Sequence, residues 1–128
     1  MYYVSTKSHF DAAHHLVGYK GPCRRVHGHT WNVEIFVEGT KLQPDGMLVD
    51  FREIKKKLKP ILDKLDHHDL NKVVDFNPTA ENLAKYIYEQ LIFPPVRLGA
   101  LVCEVRVWES PTSWASYSED SRDVQECY

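Results

Sequence analysis

Between residues 29 and 38 apolar and polar side chains take turns. Trp31, Val33, Ile35 and Val37 fall on one face, with Asn32, Glu34 and Glu38 mostly on the other. A period of two is that of a β-strand with one face in a core. Residues 2–10 alternate more weakly but are rich in aromatic and β-branched types, which predicts a second strand. Gly18, Gly21 and Pro22 mark the loop between them, and "KLQPDG" marks the turn that ends the unit. The period then changes. Phe51, Ile54, Leu58, Ile61, Leu62 and Leu65 lie at helical spacing behind a capping-box pair, Asp50 and Glu53. Pro60 falls inside that pattern and predicts a kink or a local break. "NPTAENLAKYIYEQL" predicts a second helix, with Thr79 as N-cap and Ala80, Leu83, Ala84, Ile87 and Leu91 as its apolar stripe. Leu101, Cys103, Val105 and Val107 alternate as a third strand, and residues 114–118 predict a short fourth.

The order ββααββ contains no alternating βαβ units. It predicts an α+β fold: one four-stranded antiparallel sheet with two helices packed on one face. With 128 residues and no linker or repeat, the chain reads as a single domain over 1–128.

Charge and composition narrow the function classes. Sixteen Lys and Arg against eighteen Asp and Glu give a net charge of −2, which argues against a nucleic-acid surface. No apolar run reaches membrane-spanning length, and "MYYVSTKSHF" lacks a signal-peptide pattern. Three cysteines without a CxxC make no disulfide framework, so a reducing cytoplasm is expected.

Seven histidines change the picture because they cluster: His9, His14 and His15, then His27 and His29, then His67 and His68. His27 and His29 are two apart at a strand start, so their side chains point the same way. A hairpin connection would bring His14 beside them. Three imidazoles meeting there make a zinc site with an open fourth position, the catalytic pattern. Cys23 as a fourth ligand would instead close the site, and ordinary strand-end histidines are the plainer alternative. Cys23 stands beside Arg24 and Arg25, which favour its thiolate and hence a base or nucleophile. Cys103 continues an apolar face and reads as a small buried hydrophobe; Cys127, near the chain end, reads as exposed. Asp66 and His67 form an acid–histidine pair suited to a proton relay, or equally to capping a helix end. His68 and Asp69 read as capping. Glu109 ends the apolar row of the third strand, so it either meets a guanidine-like ligand edge with two hydrogen bonds or turns into solvent.

Six stretches run in order along most of the chain: "FDAAHH" (10–15), "CRRVHGH" (23–29), "GMLVDF" (46–51), "LDHHDLN" (65–71), "PTAENLA" (78–84) and "VWES" (107–110). Together they resemble the 6-pyruvoyltetrahydropterin synthase superfamily, and within it the 6-carboxy-5,6,7,8-tetrahydropterin synthase branch. The resemblance implies the tunnelling fold, in which three subunits close a barrel and two barrels stack into a homohexamer with active sites between subunits. It implies Zn2+ on His14, His27 and His29, Cys23 as the base, Asp66 and His67 as the relay, and Glu109 as the pterin anchor. It implies 7,8-dihydroneopterin triphosphate as substrate and 6-carboxytetrahydropterin, acetaldehyde and triphosphate as products, an early step toward queuosine. Arg24 and Arg25 would receive the triphosphate on charge alone. Three residues between Cys23 and the HGH favour this branch over the 6-pyruvoyl-forming sister. Ser110 stands where a threonine is common, and 119–128 match nothing in the family. A zinc hydrolase on three histidines and a non-enzymatic zinc-stabilised binding module are the competing classes.

Overall fold

The computed structural model describes residues 1–119, apart from the side chain of Cys23; Cys127 and the rest of the tail lie outside the described residues. Four strands, β1 (Tyr2–His14), β2 (His27–Gly39), β3 (Leu101–Ser110) and β4 (Ser113–Tyr117), form one antiparallel sheet in the order β1-β2-β3-β4. Helices α1 (Phe51–Asp63), α2 (Leu70–Val73) and α3 (Ala80–Leu91) lie between β2 and β3 in the chain, and α1 and α3 pack against the sheet.

The alternation of β2 has the expected consequence. Trp31, Val33, Ile35 and Val37 are fully buried and meet Ile54, Leu58, Leu83 and Ile87 from the helices. Phe10 and Ala12 of β1 and Val105 and Val107 of β3 complete that layer. Burial of this face drives the packing, at about 25 cal/mol per Å2 of apolar surface.

The chain departs from its periodicity in identifiable places. β1 runs four residues further than its alternation suggested, because Ala12 and His14 continue the buried face while Asp11 stays exposed. Pro60 does not break α1, which is continuous from Phe51 to Asp63. The N–H it lacks would have met the carbonyl of Lys56; both residues are exposed, so the missing bond falls on the solvent side of the helix. Phe51, read as the first residue of the α1 stripe, is 51% exposed. Asp50 caps α1 by accepting from the N–H of Arg52, so the reciprocal box with Glu53 is replaced by an Asx cap. Thr79 caps α3 as expected, accepting from Asn82.

The third strand departs from its alternation by one residue. Phe36 pairs with Glu104 while Val37 pairs with Val102, which leaves Cys103 as the extra residue of a β-bulge. The buried row is therefore Val102, Val105 and Val107; Leu101 is exposed and Cys103 only half-buried.

The free edge of β1 is partly covered by the loop after α1. Asp11 accepts from the N–H of His67 at 2.6 Å, and Ala13 donates to the carbonyl of His68 at 3.1 Å. A single parallel bridge joins Ala13 to Asp69. This attachment carries the "LDHHDLN" stretch to the histidine end of the sheet.

Candidate metal centre and proton relay

His14 ends β1 and is directly opposite His27 in register. His29 follows two residues later on the same face, where the hydrophobic row of β2 runs out. The three rings lie edge-on with centroids 4.5, 4.6 and 5.1 Å apart, and their candidate ligand atoms all fall within 4.8 Å of one another. Trp31 forms the floor. Its ring is 4.8 Å from His14 and 5.2 Å from His29, and its indole N–H donates to the carbonyl of Ala12.

Backbone carbonyls fix the tautomers. His14 Nδ1 lies 2.7 Å from the Pro78 oxygen, and His27 Nδ1 lies 2.7 Å from the Arg25 oxygen. A carbonyl can only accept, so each Nδ1 carries the proton and each Nε2 keeps its lone pair. The Nε2 atoms of His14 and His29 are buried without a hydrogen-bond partner among the described residues. Buried polar atoms are rarely left so. Burial, followed by repulsion from the neighbouring imidazoles, holds the pKa of both His14 and His29 below the ordinary histidine value; for His29 that repulsion comes from His27. Neutral rings with converging lone pairs and carbonyl-held Nδ1–H groups are what a divalent transition metal requires. The donor set fits such an ion.

Two asparagines anchor the chain as it leaves β1. Asn71 bonds both the N–H and the carbonyl of His15, at 2.9 and 3.0 Å, and Asn77 does the same for Val17, at 3.0 and 3.2 Å. These clamps and the Pro78 carbonyl tie the first ligand to the helix layer.

Asp66 and His67 are in contact, Oδ2 to Nδ1 at 3.0 Å, rather than capping α1. The other oxygen, Oδ1, accepts from the N–H of Asp11 at 2.9 Å. This backbone bond, with the His67 contacts, holds the Asp66 carboxyl below the usual carboxylate range. His67 has φ of 58°, an uncommon left-handed conformation for a residue other than glycine. Asp69 does cap, but it caps the start of α2, accepting from Asn71, not the end of α1. His68 turns its ring back onto the Asp66 carbonyl. His29 and His67 line one hollow of about 530 Å3, with Asp11, Gly28, Thr30 and His68.

Glu109 occupies a second bulge. Trp108 pairs with Trp114 and Ser110 with Ser113, so Glu109 is the extra residue. It is half-buried rather than turned fully outward, and lines a hollow of about 200 Å3 with Ala80, Glu81, Ser113, Trp114 and Ala115. Its negative charge favours the protonated form of His14 and His29, opposing the larger effect of burial.

The backbone of Cys23 lies in a short 3-10 turn, Pro22–Arg24, four residues before His27; its side chain is outside the described part. Arg24 and Arg25 are exposed beside it. What the centre uses of Arg25 is its carbonyl, not its guanidinium. Sequence reasoning missed Arg25 O and Pro78 O because a backbone acceptor has no residue signature. It also passed over Asn71 and Asn77, although both lie in stretches with evident polar punctuation.

An antiparallel sheet backed by helices, with three converging imidazoles at one end, two of them oriented by backbone carbonyls, defines an α+β protein with a metal-ready centre. The chain belongs to the 6-pyruvoyl tetrahydropterin synthase family, whose model matches residues 3–120. It is 37% identical over 119 residues to a 6-carboxy-5,6,7,8-tetrahydropterin synthase of Bacillus subtilis, covering 85% of this chain and 80% of that one. It is 39% identical over 85 residues to a dihydroneopterin monophosphate aldolase of Pyrococcus furiosus, covering 66% and 70%. The fold matches the structure of Caenorhabditis elegans 6-pyruvoyl tetrahydropterin synthase with a TM-score of 0.76 at 26% identity, over 93% of this chain and 96% of that one.

Proposed function

We propose that the chain is a zinc-dependent lyase that converts 7,8-dihydroneopterin triphosphate to 6-carboxy-5,6,7,8-tetrahydropterin, with release of acetaldehyde and triphosphate. The observation that carries this reading is the pair of buried, unpartnered Nε2 atoms on His14 and His29 beside a third, matching histidine. Zinc suits three imidazoles with a vacant position, and when bound it supplies Lewis-acid polarisation of the substrate's side-chain hydroxyls.

The chain's own residues have distinct tasks in this reading. Glu109 accepts two parallel hydrogen bonds from the guanidine-like edge of the pterin, which orients the ring and satisfies a half-buried carboxylate. Cys23, as thiolate, removes a side-chain proton next to the ring imine. His67 carries a proton on Nδ1 toward Asp66, so its Nε2 is the end that exchanges protons with substrate. Arg24 and Arg25 meet the triphosphate. The free edges of β1 and β4 would pair with other copies into a barrel, and two barrels into a homohexamer, which removes the exposed edges. The active sites would then lie between copies. Among the described residues no helix is long and apolar enough to cross a membrane; a cytoplasmic location and a place early in queuosine synthesis are part of the same reading.

The test is mass spectrometry of products from zinc-loaded protein incubated with 7,8-dihydroneopterin triphosphate. 6-Carboxytetrahydropterin with acetaldehyde supports the reading. A 6-pyruvoyl product moves the protein to the sister activity, and turnover confined to dihydroneopterin monophosphate favours the aldolase chemistry named for the Pyrococcus furiosus relative. Intact pterin substrates with zinc bound would sink the lyase. Zinc retained by wild type but lost by a Cys23→Ala variant would make Cys23 a fourth ligand and favour a structural zinc module.

A further inference from the structure

We propose that Asp11 is a positioning residue of the proton relay, its carboxylate pinned by Thr30 so that it confines His67 on the flank that Asp66 leaves open. The inference rests on the catalytic reading of Asp66 and His67. Asp11 bonds the pair through both of its backbone polar groups and brings its carboxylate close to it. Its N–H donates to Asp66 Oδ1 at 2.9 Å, and its carbonyl accepts from the N–H of His67 at 2.6 Å. Its carboxylate offers an oxygen within 4.8 Å of both the Asp66 carboxylate and the His67 ring. The two backbone bonds would survive any side chain at position 11. The carboxylate is what the sequence adds.

That carboxylate is itself held. Asp11 and Thr30 are direct cross-strand partners, and Thr30 Oγ1 donates to Asp11 Oδ1 at 2.6 Å. An exposed edge position would otherwise leave an aspartate free to rotate into solvent. Covering a strand edge gives no reason to set two carboxylates against each other, because like charges at this range repel. A ring within reach of both that passes through a protonated state gives one. The left-handed backbone of His67 agrees with this account. Such a conformation costs free energy at a non-glycine residue and persists where its surroundings over-determine it. Here the determinants are the Asp11 carbonyl and the Asp66 carboxylate. The trio also has the spacing of a metal site, but its members are exposed or half-exposed and the Asp66 oxygens are already partnered.

The experiment is steady-state kinetics of zinc-loaded wild type, D11A, T30V, D66A and D11A/D66A on 7,8-dihydroneopterin triphosphate, with zinc content and oligomeric state measured for each. D11A should lower kcat by roughly 10-fold or more while KM stays within about twofold, since small misplacements of a proton-transfer group are costly. T30V should lower kcat in the same sense by less. The double variant should be no slower than D66A alone, because both residues act through one imidazole. An unchanged kcat in D11A, full additivity with D66A, or a loss of bound metal in D11A would overturn the proposal. If wild type does not turn over, the catalytic reading fails separately. The positioning claim is then read by NMR: the His67 Nδ1 proton, hydrogen-bonded to Asp66, should broaden by exchange in D11A, and an unchanged signal would refute it.

Discussion

His14 Nδ1 and the carbonyl oxygen of Pro78 lie 2.7 Å apart across 64 residues of chain. The contact joins the end of β1 to the turn that starts α3, so the first ligand of the metal centre is oriented by the helix layer. Pro78 is suited to this, since it precedes the Thr79 cap and the first free N–H groups of α3 go to Thr79, that of Asn82 to its hydroxyl and that of Leu83 to its carbonyl.

Metal should therefore stabilise the fold through a site that is already formed. Zinc at about a hundredfold excess over its Kd adds roughly 2.7 kcal/mol to the folded state. For a chain of this size that is a rise of roughly 10 °C in Tm. The His14→Ala variant should show no such rise, and thermal melts with and without zinc check both. A wild-type Tm that ignores zinc would mean that the three Nε2 atoms do not meet on a metal.

Beneath the site, Trp31 is fully buried, stacked on Phe10 at 6.0 Å, and bonded to the Ala12 carbonyl at 3.2 Å. Trp31→Phe keeps an aromatic floor but removes the indole N–H bond to that carbonyl and leaves a void. The expected cost is about 0.5–1.5 kcal/mol from the lost hydrogen bond, with a further loss from packing. Urea denaturation of the metal-free proteins measures it, and a cost under about 0.5 kcal/mol, typical of surface changes, would refute the structural role.

How much of this was readable beforehand depends on what each feature is made of. The β2 row from Trp31 to Val37 was legible because one face is buried without interruption. The HxH pair was legible because strand parity settles which way two side chains point. The bulges at Cys103 and Glu109 were not, since an extra residue in one strand is a property of the pair and leaves no mark in either sequence. Nor was α2, whose four residues are too few to show a period. The carbonyls of Arg25 and Pro78 belong to the backbone and could be found only by folding the chain.

Alkaline pH should expose the bulge at Cys103. Burial, with help from Glu38 and Glu104, pushes its thiol from 9.0 up to about 11. Burial likewise pushes Tyr88 from 10.0 up to about 12. Both groups stay neutral in the folded chain where the unfolded chain ionises. Stability is therefore intact below pH 9, declines as pH rises toward 11 on account of Cys103, and declines further toward 12 on account of Tyr88. Denaturant midpoints across this range should fall less steeply between pH 9 and 11 for Cys103→Ser. Identical slopes for variant and wild type would remove Cys103 as the cause.

Glu109→Gln tests the pterin anchor separately from the metal. The amide keeps one acceptor but replaces the other with a donor that faces the ligand's own N–H groups. Losing a charge-assisted pair costs about 1.5–3 kcal/mol, or roughly 10- to 100-fold in substrate affinity. The rise should fall on KM, with zinc content unchanged by elemental analysis. Wild-type KM in this variant would mean that Glu109 does not touch the ring.

The last prediction concerns the open edge of β1. Asp11 and Ala13 direct their N–H groups outward, to Asp66 and His68. The register with β2 is unbroken along the whole strand, so Tyr3, Ser5, Lys7 and His9 direct theirs the same way. Among the described residues of one chain those groups have no partner, so proline is tolerated there. In a barrel they would bond a neighbouring copy. Lys7→Pro should then leave the monomer fold intact by circular dichroism but abolish the higher oligomer in native mass spectrometry. Lys7 also rests over the Trp108 ring at 4.3 Å. Lys7→Ala is the necessary control, because it loses that contact, worth about 0.5–1 kcal/mol, yet keeps the N–H. Assembly retained in Lys7→Ala and lost in Lys7→Pro assigns the interface to backbone pairing along β1. Assembly retained in both would mean that copies associate elsewhere on the molecule, and loss in both would assign the contact to the side chain.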